Sequence, residues 1–107
     1  MIVPQVRARE VADRLKRGDK LVLLDVREHD ELALCRIEGA AHIPLGQLSQ
    51  RLNQLSPEDE IVLFCHHGKR SLAGAALLQQ QGFAKAMSMM GGIDAWSVEI
   101  DPRVSRY

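Results

Sequence analysis

Short, unbroken apolar runs separated by segments of helical spacing constrain this chain more than any other feature. Leu21-Val22-Leu23-Leu24-Asp25-Val26, Ile61-Val62-Leu63-Phe64-Cys65 and Ala86-Met87-Ser88-Met89-Met90 each suit one strand and are too short for a helix. They are continuously apolar rather than alternating, so each strand is covered on both faces, as in a parallel sheet between helices. Ala8, Val11, Ala12 and Leu15 recur at helical spacing and Gly18 stops that helix. The pattern predicts a short helix over 28–34. A further helix is predicted to carry Leu45, Leu48, Leu52 and Leu55 on one stripe, with Ser56-Pro57 after it. Another runs from the loop after Cys65 to about Gln81, with Leu72, Ala73, Ala76 and Leu77 in its pattern and Gly82 as its stop. Lesser strands are expected at Gln5-Val6 and at Ala41-His42-Ile43, the second closed by Pro44. Gly91-Gly92 turns the chain into a last short helix with Ile93 and Trp96, and Glu99 to Tyr107 reads as an extended terminal arm. The expected class is α/β, a parallel central sheet with helices on both faces. A length of 107 residues suits one domain with a modest core, so 1–107 is read as a single domain.

Ligands in such sheets bind outside the carboxyl ends of the strands. Cys65 stands at such an end and opens the loop Cys65-His66-His67-Gly68-Lys69-Arg70 before a helix. A helix N-terminus offers free N–H groups and partial positive charge, which favour the thiolate, the reactive form of cysteine. If the loop wraps the sulfur, successive N–H groups converge on it as in an anion nest. Gly68 supplies the tight conformation, and Lys69 and Arg70 add positive charge at the mouth. The cradle suits a thiolate that attacks an anionic sulfur-bearing donor and then holds the sulfur as a persulfide. The plainer alternative, a buried inert thiol ending a strand, fits Cys65 less well, because an electropositive, partly exposed setting is where reactive cysteines occur.

Four ordered elements resemble the single-domain rhodaneses, which are thiosulfate or persulfide sulfurtransferases. Cys65-His66-His67-Gly68-Lys69-Arg70-Ser71 resembles the C-x-x-G-x-R-[ST] active-site loop of that family, and Leu24-Asp25-Val26-Arg27 its L-x-D-V-R element. Ile37-Glu38-Gly39-Ala40-Ala41-His42-Ile43-Pro44 is similar to its G-H-I-P-G-A-x-x-I-P element, and Gly91-Gly92-Ile93-Asp94-Ala95-Trp96 to its closing G-G-x-x-x-W. Cys35-Arg36 and Glu38 depart from that pattern outside the active loop. The resemblance implies a rhodanese-like fold, with Cys65 as the persulfide carrier. Related phosphatases carry C-x5-R, one residue longer than the C-x4-R here, to enclose a phosphate.

The expected activity is therefore double displacement. Cys65 attacks the outer sulfur of a small anionic donor such as thiosulfate, sulfite leaves, and the sulfur passes to cyanide or a thiol. A sulfur-relay or interaction module loaded by a partner protein is the alternative, and a phosphatase or arsenate reductase a lesser one. Arg70 is expected to hold the loop or face the donor, and Lys69 to steer anions by its charge. His66 and His67 are read as loop residues without side-chain catalysis, because the cradle is mostly backbone. Asp25 is expected to orient the loop, and Arg27 to pair with Glu31 at i,i+4. Cys35 reads as a small hydrophobe, His42 as a packing histidine, the Met87, Met89, Met90 group as core filling, and Trp96 as a packing anchor. No metal or organic cofactor is expected, since adjacent His66 and His67 are expected to point apart. Balanced charge, 14 basic against 14 acidic residues, argues against nucleic-acid binding. The first residues do not form a signal peptide, no run is long enough for a membrane span, and two unpaired cysteines suit a reducing compartment, so a cytoplasmic location is expected.

Overall fold

The computed structural model describes residues 2–107. Strands β1 (Gln5–Arg7), β2 (Leu21–Asp25), β3 (Ala41–His42), β4 (Glu60–Phe64) and β5 (Ala86–Met90) form one sheet in the order β1-β5-β4-β2-β3. Every pairing is parallel. Helices α1 (Ala8–Lys16), α2 (His29–Leu34), α3 (Lys69–Gln80) and α4 (Gly92–Glu99) complete the architecture.

The continuous apolar runs end up where their composition requires, between two layers. On β4, Val62 and Phe64 join Val11 of α1 and Ile93 and Trp96 of α4 in one core. Ile61, Leu63 and Cys65 alternate to the other core with Leu48, Ala75, Leu78 and Phe83. Residues 61–64 are fully buried, each contributing about 1.5–3 kcal/mol. Met89 and Trp96 are core residues as expected, while Met90 lies exposed. Helix α3 turns Ser71, Gly74, Ala75 and Leu78 inward. Gly74 and Ala75 are small enough to let that helix lie close against Leu63.

Three local expectations are corrected. The leucine stripe is not one helix but two 3-10 turns, 45–50 and 52–54, broken at Arg51. A 3-10 turn stacks residues i and i+3, which is the spacing of Leu45 to Leu48 and of Leu52 to Leu55. Residues 100–107 do not form an extended arm. Val104 is buried in the first core, with Ser97 Oγ donating to its carbonyl, and Tyr107 lies over the carboxyl end of the sheet. Glu31 does not pair with Arg27 through its carboxylate; Arg27 Nη1 donates instead to the Glu31 carbonyl oxygen at 3.2 Å. A capping box explains this arrangement. The Glu31 side chain accepts from the Glu28 N–H at 3.0 Å, which closes the start of α2 and turns the carboxylate away from Arg27.

Candidate active site

Cys65 follows the last residue of β4, so the central strand of the sheet delivers its sulfur to the carboxyl edge. Gly68, at φ +108°, caps the start of α3 and folds the loop back over that sulfur. The Gly68 N–H donates to Cys65 Sγ at 3.1 Å and the Ser71 N–H at 3.4 Å. The thiol faces Ser71 Oγ at 3.6 Å. Ser71 Oγ in turn donates to the Gly68 carbonyl at 3.1 Å and lies 2.7 Å from Ser88 Oγ. The convergence of N–H groups is thus present, through two amides rather than the whole loop. The setting is more enclosed than expected. Cys65 is 1% exposed, because the strand end, the loop and α3 close around it.

The start of α4 holds the loop from the other side. The Ile93 N–H donates to the Cys65 carbonyl at 2.8 Å and the Asp94 N–H to the His66 carbonyl at 3.1 Å. Those carbonyls come so close that a Cβ at position 92 would sit 2.4 Å from Cys65 O and 2.5 Å from His66 O. Glycine, at φ +59°, is the residue that fits there.

Around the mouth the charges are paired. Arg70 grips both Glu31 oxygens, at 2.5 and 2.9 Å. The Tyr107 hydroxyl donates to Glu31 Oε2 at 2.6 Å and accepts from Arg27 Nη1 at 3.1 Å. Arg70 first, then Tyr107, holds the Glu31 carboxyl well below the usual carboxylate range. Partial burial, then the bond to Glu31, raises the Tyr107 phenol to about 12. The Tyr107 ring stacks on His66, centroids 3.9 Å apart and 6° from parallel. Arg27 is fully buried and spends its fork on Asp25, with Nη2 2.7 Å from Oδ2, and on the Cys35 carbonyl at 2.8 Å. Asp25 therefore binds Arg27 rather than the loop, which corrects its expected role. Lys69 and His67 are exposed. His42 is a satisfied packing histidine as expected, its Nε2 2.6 Å from the Arg27 carbonyl oxygen.

His66 and His67 do not diverge. Their rings tilt together with centroids 3.8 Å apart, and their ligand atoms and those of Asp94 lie within 4.8 Å of one another. Asp94 already pairs with Arg106 at 2.9 Å. Cys35 is half-buried beside Arg27, and burial pushes its thiol up.

A sulfur cradle at the tip of the central parallel strand, followed by a helix, identifies the lineage once it is set beside known proteins. The rhodanese-like domain family matches residues 7–99. The chain belongs to the rhodanese-like family. Among its relatives, the assigned sulfurtransferase YtwF of Bacillus subtilis is 31% identical over 103 residues, covering 96% of this chain and 99% of YtwF. The assigned sulfur carrier YrkF of the same organism is 35% identical over 95 residues, covering 89% of this chain but only 51% of YrkF. The human single-domain sulfurtransferase TSTD1 superposes with a TM-score of 0.80 at 31% identity, covering 92% of this chain and 98% of that one. The fold is accordingly rhodanese-like, and the family is one of sulfurtransferases and sulfur carriers. Among the described residues, no helix is long and apolar enough to cross a membrane.

Three groups of this rhodanese-like site escaped sequence reasoning. Glu31 and Tyr107 reach the mouth from 39 and 37 residues away from Arg70 and Arg70-side contacts form only through the fold. Ser88, on the neighbouring strand β5, meets Ser71 because β4 and β5 are in register from Ile61–Ala86 to Leu63–Ser88. A serine within the apolar run of β5 was the one available signal.

Proposed function

We propose that this chain is a sulfurtransferase that moves sulfane sulfur from thiosulfate or a persulfide donor to a thiophilic acceptor through a persulfide on Cys65. The observation that carries the reading is the pair of N–H groups, from Gly68 and Ser71, aimed at Cys65 Sγ at the head of α3. Donors so placed stabilise a sulfur anion, first the thiolate and then the outer sulfur of the persulfide. The Ser71 hydroxyl, 3.6 Å from the sulfur, can rotate its proton from the Gly68 carbonyl to a thiolate.

The reaction runs in two displacements. Cys65 thiolate forms a bond to the outer sulfur of the donor while the donor's own sulfur bond breaks. The leaving group, sulfite or a thiolate, takes the electron pair. A thiolate or cyanide acceptor then attacks the outer sulfur and releases Cys65 as thiolate. His66, His67, Lys69 and Arg70 shape the mouth, and Asp25 and Arg27 support it from beneath. The relay reading, in which a partner protein loads Cys65, gains support from the sulfur-carrier assignment of YrkF and from the near-complete burial of the sulfur. Both readings use the same cysteine and residues 1–107 as one unit.

Cys65→Ser tests the role of the sulfur. A hydroxyl is nearly isosteric but is not a nucleophile of this kind at neutral pH, so transfer to cyanide or a thiol is expected to vanish with an unchanged melting temperature. Cys35→Ser is expected to keep its activity. Turnover retained in Cys65→Ser overturns the assignment.

A further inference from the structure

We propose that Glu31 and Tyr107 act as positioning residues that set the donor class, so that Cys65 is loaded by a thiol persulfide in preference to thiosulfate. This rests on the reading of Cys65 as the sulfur carrier. Arg70 Nη1 and Nη2 each donate to a Glu31 oxygen in a bidentate pair, which offsets the charge a substrate anion would otherwise meet. Glu31 is not free to swing aside. The Glu28 N–H holds Oε1 at 3.0 Å and the Tyr107 hydroxyl holds Oε2 at 2.6 Å. Arg27 is likewise committed to Asp25. Among the described residues, Lys69 is the loop cation left without a carboxylate partner, and it is exposed.

The charges of the two reactions differ. Thiosulfate brings two negative charges to a thiolate that carries one, beside the fixed carboxylate of Glu31. Its attack forms the Cys65 Sγ–S bond, breaks the S–S bond of thiosulfate and releases sulfite with the electron pair. A thiol persulfide carries at most one negative charge on its sulfurs, and the protonated form that reacts, R–S–SH, carries none there. Its S–S bond breaks, the electron pair leaves as R–S⁻, and the proton stays on the outer sulfur now bound to Cys65. Both steps balance without an outside oxidant or reductant. The mouth favours the second, because Glu31 offsets the charge of Arg70 and Asp25 that of Arg27.

The test compares thiosulfate with glutathione persulfide as donors for the full chain, Glu31→Gln and Tyr107→Phe. Glutamine keeps the capping role at the start of α2 and the size of the side chain, so folding is retained. The expected wild-type kcat/KM is higher for glutathione persulfide. In Glu31→Gln the freed Arg70 is expected to raise thiosulfate kcat/KM by about tenfold, mainly through a lower KM, with persulfide turnover little changed. Tyr107→Phe, which keeps the ring but unties Glu31, is expected to move the ratio the same way by less. A donor ratio unchanged in Glu31→Gln, or wild-type preference for thiosulfate, overturns the inference while leaving Cys65 as carrier. Failure of both donors to load Cys65 in every variant overturns the Cys65 reading itself.

Discussion

Gly92→Ala separates what the α4 corner does from what any left-handed glycine does. Two costs add at this position. Placing an L-residue at φ +59° costs about 1–2 kcal/mol. The new Cβ would also meet two backbone carbonyl oxygens, Cys65 O at 2.4 Å and His66 O at 2.5 Å, and backbone does not give way as a side-chain tip does. Overpacking of this kind costs about 1–3 kcal/mol. Together they predict a loss of about 2–5 kcal/mol. At roughly 4–8 °C per kcal/mol for a domain of this size, the melting temperature falls by at least about 8 °C. Gly18→Ala is the control, since Gly18 has φ +91° but nothing within 4 Å of its added Cβ, so it bears the conformational cost alone. The assay is thermal unfolding of both variants, followed by persulfide loading at a temperature where both are folded. Gly92→Ala is expected to load slowly even when folded, because the displaced carbonyls belong to Cys65 and His66. Equal melting temperatures in the two variants would refute the argument that α4 clamps the loop.

Inserting one glycine after Gly68 is expected to cut sulfur transfer more than it lowers the melting temperature, because ring size sets where the Gly68 and Ser71 N–H groups meet the sulfur, while exposed loops tolerate length. Unchanged transfer would show that ring size is not the determinant. Tyr107 is the single tyrosine of the chain, so ultraviolet absorbance titration reads it alone, with an expected midpoint near 12; a midpoint at the ordinary phenol value would mean that it does not dock on Glu31. The raised phenol value also means that its share of stability is present below about pH 10 and lost as pH rises through 12. At the acid end, Glu31 and Asp19 have lowered carboxyl values, Asp19 at about 2 through Arg17 and then Arg14. Their contribution is present above about pH 4 and lost as pH falls below it, so the melting temperature is expected to drop between pH 4 and 2, and a rise there would contradict these pairings.

The central strand and its cysteine were legible because they are local. Five consecutive apolar residues and the glycine three positions on are enough to place Cys65 at a strand end before a turn. The surroundings of the mouth were not, because Arg70, Glu31 and Tyr107 meet only after the sheet and α2 have formed. The i,i+4 spacing of Arg27 and Glu31 misled for a related reason. Spacing reports which residues lie on one helix face, whereas Arg27 lies ahead of α2 and the first turn of that helix claims the Glu31 carboxylate for its own cap. The leucine stripe at 45–55 failed because period-three and period-four patterns coincide over so short a span, and the break at Arg51 has no strong breaker residue to announce it. The closing residues lack periodicity, yet Val104 and Tyr107 are two buried or stacked anchors, which is all that docking a short arm requires.

The claim at the centre of this account is that Cys65 carries sulfur, and intact mass with peptide mapping tests it most directly. The reduced protein is exposed to glutathione persulfide or thiosulfate, mapped, and then treated with cyanide. The account predicts one added sulfur atom on the peptide holding Cys65, removed by cyanide with release of thiocyanate. A sulfur adduct confined to Cys35, or no adduct on either cysteine with both donors, would contradict it.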